Sequence, residues 1–82
     1  MNNKLVLFKA LSDETRLKII EFLLGGEKCV CEIVPHTKRK QSTISIQLSK
    51  MESWGILKTR REGKNIHYRI ANDKIIKLLS VI

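Results

Sequence analysis

The stretch QSTISIQLSKMESWGILKTRREGKNIHYRI, residues 41–70, decides the fold because it joins two kinds of periodicity without a linker. In its first part, Ile44, Leu48 and Met51 recur at helical spacing and predict the buried side of a helix that Gly55 ends. The opposite side of this helix is small, polar and lightly charged, with Ser42, Ile46, Ser49 and Lys50. Small side chains allow a helix to sit deep in a groove. The long side chains of an ordinary solvated face, rich in Glu and Lys, would prevent this.

The second part of the stretch predicts a β-hairpin. Apolar and polar residues alternate from Ile66 to Ile70, and Gly63-Lys64 supplies the turn. A basic hairpin directly after a polar-faced helix is the order of a winged helix-turn-helix domain.

The first forty residues predict three shorter helices. The first lies within residues 2–11, and the second begins at the cap Ser12 and ends at Gly25-Gly26. The third follows a short extended segment within residues 27–36, where Pro35 limits its length. The expected fold class is mostly α with a β-hairpin wing, in one domain over residues 1–82.

Charge is distributed unevenly along the chain. The 82 residues include 16 Lys and Arg against 8 Asp and Glu, a net charge of +8. Residues 38–69 hold nine basic and two acidic residues, whereas residues 1–37 are balanced. A basic half indicates a polyanion such as double-stranded DNA, with a merely solvated surface as the alternative. No apolar run could span a membrane and no signal peptide is evident, so we expect a cytoplasmic protein with reduced thiols.

Three segments carry a resemblance to a known family. LSDETRLKIIEFL (11–23) resembles the opening signature of the ArsR/SmtB family, the small dimeric winged-helix repressors that sense metals and metalloids. Residues 41–70 resemble its recognition helix and wing, and CVCEI (29–33) resembles its arsenic-sensing motif. The chain departs from the family pattern in its basic turn at residues 38–40, in Ile46, and in Val34, where the motif often has a third cysteine. The resemblance implies a homodimeric repressor on a palindromic DNA operator.

The resemblance implies that five polar residues of the recognition helix contact DNA, namely Gln41, Ser42, Thr43, Ser45 and Gln47. Glutamine can read adenine with two hydrogen bonds, and hydroxyl groups can contact bases or phosphates. Ile46 is a candidate contact to a thymine methyl group, against the alternative of a singly exposed apolar residue. The basic residues of the helix and hairpin are predicted phosphate contacts, namely Lys50, Arg60, Arg61 and Lys64.

The two cysteines, Cys29 and Cys31, are the candidate metal ligands, and no constitutive cofactor is expected. Soft thiolates select soft ions such as arsenite, antimonite or Cu(I). Side chains at i and i+2 of a helix point about 200° apart, so we expect the helix start to unwind when both bind one ion. That unwinding would move the recognition helix. A thiol redox switch and two packing residues with no sensing role remain alternatives.

The terminal segments carry more apolar surface than one side of a small core requires. Pairing residues 2–11 with residues 73–82 across a two-fold axis would bury it and place two recognition helices one DNA turn apart. The chain has no Ser-His-Asp arrangement, Gly-rich phosphate loop or evident acid pair, so we do not expect an enzyme. The competing classes are a DNA-binding protein without a sensor and a regulator whose signal comes from a protein partner.

Overall fold

The computed structural model describes residues 3–81, with side chains from Lys4 onward. The elements follow the order α1 (Asn3–Leu11), α2 (Glu14–Leu23), β1 (Lys28–Cys29), α3 (Val30–Thr37), α4 (Gln41–Ser53), β2 (Leu57–Glu62), β3 (Asn65–Ile70) and α5 (Asp73–Ser80). The mostly helical fold with a hairpin is therefore confirmed. Asn2 and Ile82, at the outer ends of the predicted dimerisation segments, lie outside the described residues.

The start of α2 differs from the prediction by one residue. Asp13, not Ser12, is the N-cap, because Asp13 is extended and its carboxylate accepts a hydrogen bond from the Arg16 backbone N–H at 3.0 Å. The Ser12 hydroxyl instead donates to the Lys9 carbonyl at 2.7 Å and so satisfies the last turn of α1.

The end of α3 also differs from the prediction. Pro35 lies inside this helix, which continues to Thr37. Lys38 ends it in the left-handed conformation, with φ of 59° and its N–H donated to the Val34 carbonyl. A short basic turn then leads into α4, the recognition helix.

The predicted buried stripe of α4 is confirmed, since Ile44, Leu48 and Met51 are all at most 1% exposed. The stripe packs into a core with apolar side chains of α2, α3 and the sheet, chiefly Ile19, Ile20, Leu23, Ile33 and Leu57. Burial of each such side chain stabilises the fold by roughly 1.5–3 kcal/mol, which fixes how α4 is rotated about its axis. Its opposite face is consequently held toward solvent.

The hairpin of β2 and β3, the wing, pairs from Leu57 opposite Ile70 to Glu62 opposite Asn65, with the turn at Gly63-Lys64 as predicted. The short strand β1 adds to the other side of β3, giving the order β1-β3-β2. Because Cys29 lies opposite His67 in this pairing, the cysteine segment is hydrogen-bonded to the wing.

Candidate DNA interface and cysteine site

The recognition helix presents most of its predicted contact residues to solvent. Gln41, Ser42, Ser45, Ile46 and Lys50 are exposed, and Ile46 retains 55% of its surface. Thr43 is partly buried. The N-cap Lys40, in the basic turn that departs from the family pattern, makes no side-chain capping hydrogen bond.

Gln47 is placed differently from the other candidates. It is partly buried on the flank of α4, and its Oε1 accepts a hydrogen bond from Arg16 Nη1 at 2.9 Å. Arg16 was not among the predicted site residues. The only sequence signal for it was a long cation inside the apolar pattern of α2, which does not show its partner.

At the tip of the wing, Arg61 and Lys64 are exposed and form no ion pair with the rest of the described chain. Both are therefore available to phosphates. Lys64 also lies near the first turns of α4, because Lys64, Gln41 and Ser45 line one groove.

Arg60 has a different environment. Its guanidinium bridges Glu27, at 2.7 Å, and Glu62, at 2.6 Å. The hydrogen bonds from Arg60 lower the pKa of both carboxyl groups, and those carboxylates raise the pKa of Arg60. Two negative charges thus surround this predicted phosphate contact, and the pair with Glu27 joins β2 to the segment before β1.

Cys29 and Cys31 are joined by a disulfide bond at the start of α3. Cys29 is the N-cap, with an extended backbone (φ −71°, ψ 147°), and its Sγ accepts a hydrogen bond from the Cys31 N–H at 3.1 Å. The Glu32 carboxylate accepts one from the Cys29 N–H at 3.1 Å and completes a capping box. The premise behind the expected unwinding, that both cysteines lie on α3, is wrong, because Cys29 precedes the helix and its side chain does not follow helical geometry.

The cysteine pair opens into a groove of about 560 Å³ between α3, α4 and the wing turn. Cys29 is 4% exposed and Cys31 is exposed, so the outer sulfur is the accessible one. Ser45 and Ser49 of α4 form the opposite wall, with Lys64 at the wing end. Whatever binds the sulfurs therefore lies beside the predicted DNA-reading residues.

The histidines do not join this site. His36 stacks on Phe22 with ring centroids 3.8 Å apart, and neither His36 nor His67 lines the groove. Within residues 3–81, no group of three His, Cys, Asp or Glu side chains could hold a metal ion. A metal site built on the two sulfurs would therefore have no third such side chain from the described part of the chain beside it.

Apolar side chains are exposed on α1, on α5 and at the residue that follows α5. Leu5 is 65% exposed, Phe8 56%, Ile76 37% and Val81 82%. Phe8 and Val81 also line a shallow groove of about 230 Å³ between the two terminal helices. Among the described residues, no helix is long and apolar enough to span a membrane.

Comparison with known proteins agrees with this geometry. The family model for bacterial regulatory proteins of the arsR family matches residues 13–59. A probable mercury resistance operon repressor from Streptomyces lividans is 36% identical over 72 residues, 88% of this chain and 58% of its own length. The arsenical resistance operon repressor of Escherichia coli is 42% identical over 66 residues, 79% of this chain and 56% of its own length. The chain thus spans less than two thirds of either relative.

A solved structure shows the same arrangement of elements. The homodimeric winged helix-turn-helix DNA-binding domain of a possible ArsR-family transcriptional regulator from Mycobacterium bovis superposes with a TM-score of 0.87 at 33% identity, covering 96% of this chain and 73% of that one. These relatives are transcriptional regulators rather than enzymes. The chain belongs to the arsR family of bacterial regulatory proteins.

Proposed function

We propose that this protein is a homodimeric transcriptional repressor that leaves its operator when a thiophilic metalloid or metal, arsenite foremost, binds Cys29 and Cys31. The observation that carries the proposal is the position of the two sulfurs, adjacent to each other in a groove that the recognition helix and the wing turn share.

DNA binding follows from the exposed face of α4 and the tip of the wing. Gln41, Ser42 and Ser45 are short or neutral side chains that can enter a major groove and meet base edges. Arg61 and Lys64 stand on the wing and supply phosphate contacts, which position the protein without reading sequence.

The dimer follows from the exposed apolar side chains of the terminal helices. Phe8, Ile76 and Val81 would bury surface against a second copy, and their burial would favour association by about 25 cal/mol per Å². The Mycobacterium bovis domain, which shares the fold, is homodimeric. A two-fold dimer presents two recognition helices, so we expect a palindromic operator.

The effector acts by binding the DNA-free form and the DNA-bound form of the protein with different affinities. Reduced Cys29 and Cys31 offer two thiolates, and a water or a small thiol from solution completes the coordination of As(III) in the groove. A bound group of that size would lie between the Ser45–Ser49 wall of α4 and the wing turn, both of which line the groove, and would change their spacing. Release of DNA requires the DNA-free form to bind the effector more tightly than the DNA-bound form. The mercury and arsenical resistance repressors to which the chain is similar are named for thiophilic elements.

A thiol redox switch is the second candidate, and the joined sulfurs favour it. The exposed Cys31 is open to attack by a solution thiol, while the Cys31 N–H already faces Cys29 Sγ and would stabilise it as a thiolate. In that case oxidation and reduction of the pair, rather than a metalloid, would set operator affinity.

Titration of operator-bound protein separates the two candidates. Under reducing conditions, arsenite should release the wild type, whereas the variants Cys29→Ser and Cys31→Ser should stay bound. An operator complex that ignores arsenite but dissociates with a mild oxidant would transfer the role to redox chemistry. Normal repression by both variants, with no response to either reagent, would leave the cysteines as packing residues.

A further inference from the structure

We propose that Arg16 determines which atoms of Gln47 are available to DNA. Arg16 donates a hydrogen bond to the Gln47 carbonyl oxygen, and the two amide N–H groups of Gln47 remain as free donors. The inference rests on the proposed DNA-binding role of α4. It specifies which hydrogen bonds Gln47 of α4 can form with DNA, and it identifies Arg16 of α2 as a positioning residue.

Arg16 is held in place before any DNA arrives. Its Nε donates to the Ala10 carbonyl and its Nη2 to the Lys9 carbonyl, each at 3.1 Å, so the guanidinium closes the end of α1. Its Cζ also lies 5.3 Å from the centre of the Trp54 ring. These contacts to two other segments fix the direction in which the remaining nitrogen, Nη1, points.

The orientation of the Gln47 amide follows from the chemistry of its partner. Arginine has donors and no acceptor, so the group facing Nη1 at 2.9 Å must be the carbonyl oxygen of Gln47 and not its nitrogen. Gln47 Nε2 makes no hydrogen bond with the described residues, although Gln47 is partly buried on the flank of α4. Two N–H donors are therefore left for a partner from outside the chain.

This arrangement changes what Gln47 can recognise. Reading adenine with two hydrogen bonds needs the oxygen and the nitrogen of the amide in one plane with the base, and Arg16 occupies one of the two lone pairs of the oxygen and so restricts the direction of the amide. The free nitrogen instead suits an acceptor on DNA, either a base edge such as guanine O6 and N7 or a phosphate oxygen. Gln41, exposed in the first turn of α4 and with no side-chain hydrogen bond in the described part of the chain, keeps both halves of its amide for bidentate reading.

The variant Gln47→Glu tests the assignment because it keeps the shape and the Arg16 contact while it replaces the donor with a carboxylate oxygen. We expect an unchanged or higher thermal midpoint, because Arg16 gains a charged partner, and an operator affinity reduced about tenfold or more. A loss confined to one base pair of a randomised operator identifies a base acceptor, and an equal loss on all sequences identifies a phosphate.

The control Asn72→Asp makes the same amide-to-acid change at the N-cap of α5, where either residue caps the helix. It should lower affinity by no more than about threefold, through net charge alone. If Gln47→Glu and Asn72→Asp bind alike, with the same base preferences, the proposal is overturned while DNA binding by α4 stands. If the wild type itself has no operator preference, the proposed function fails, and this inference fails with it.

Discussion

Replacement of Arg61 by alanine should reduce the salt dependence of operator binding. Arg61 stands exposed near the end of β2 and makes no ion pair with the described residues, so its charge is free for a phosphate. Each phosphate contact contributes about 0.9 to the slope of log K against log salt concentration. The proposed dimer carries two copies of the residue, and the slope should therefore fall by about 1.8.

The slope converts into a directly measurable difference in affinity. Between about 50 and 200 mM salt, a slope change of 1.8 means that the advantage of the wild type over the variant shrinks about twelvefold. The loss should be the same on operator and random DNA, because phosphates carry no sequence information.

Fluorescence anisotropy at four or five salt concentrations provides the measurement. Lys77→Ala removes the same charge from the last turn of α5, which belongs to neither the wing nor α4, and should leave the slope nearly unchanged. Arg60→Ala combined with Glu27→Gln conserves the net charge while it removes the Arg60 ion pair. An unchanged slope in this double variant would mean that Arg60 serves in the ion pair with Glu27 and does not contact phosphate. A decrease of the slope as large as that of Arg61→Ala would show that Arg60 contacts phosphate. If Lys77→Ala and Arg61→Ala change the slope equally, the reasoning about a local wing contact is refuted.

Three further outcomes are expected. Ile44→Ala, at a fully buried position of α4, should lower the free energy of unfolding by about 2–5 kcal/mol in urea titrations, and a loss below 1 kcal/mol would contradict the packing described. Phe8→Lys together with Ile76→Lys should yield folded monomers in sedimentation equilibrium, and a persistent dimer would place the interface elsewhere. Burial raises the pKa of Tyr68 above its usual 10.0, so the folded state favours the neutral phenol and wild-type stability should decline as pH rises above about 10. Tyr68→Phe should lose less stability than the wild type between about pH 9 and pH 11 in the same titrations, and equal losses would exclude Tyr68 as the cause.

The elements that the sequence predicted well are those with a local period. The stripe of α4 repeats every three or four residues and the wing alternates every two, so each pattern is visible without knowledge of the rest of the chain. The cap of α2 was misplaced because Ser12 and Asp13 are both good caps, and only the backbone conformation chooses between them.

The contacts that sequence could not supply join residues far apart in the chain. Arg16 and Gln47 are separated by 31 positions, and Glu27 and Arg60 by 33. No period links such pairs, and both arginines sit in charged or amphipathic segments where many partners are conceivable. These two contacts orient the side chains of Gln47 and Arg60. The environment of each candidate contact residue therefore depends on tertiary structure, even where its position in the fold was predictable from sequence.

The placement of Cys29 changes the route by which the proposed sensor would reach DNA. A helical Cys29 would have required α3 to unwind, and the signal would then have passed along α3 into the turn before α4. With Cys29 in extended backbone, the sulfurs meet while α3 is intact, and the residue is paired instead with His67 in the middle of the sheet. The neighbouring Glu27 holds Arg60 on the outer strand of the wing. A shift of the cysteine segment would therefore be transmitted to both strands of the wing, through the β1–β3 pairing and the Glu27–Arg60 ion pair. The groove brings the same segment against α4, so wing and recognition helix would respond to one displacement.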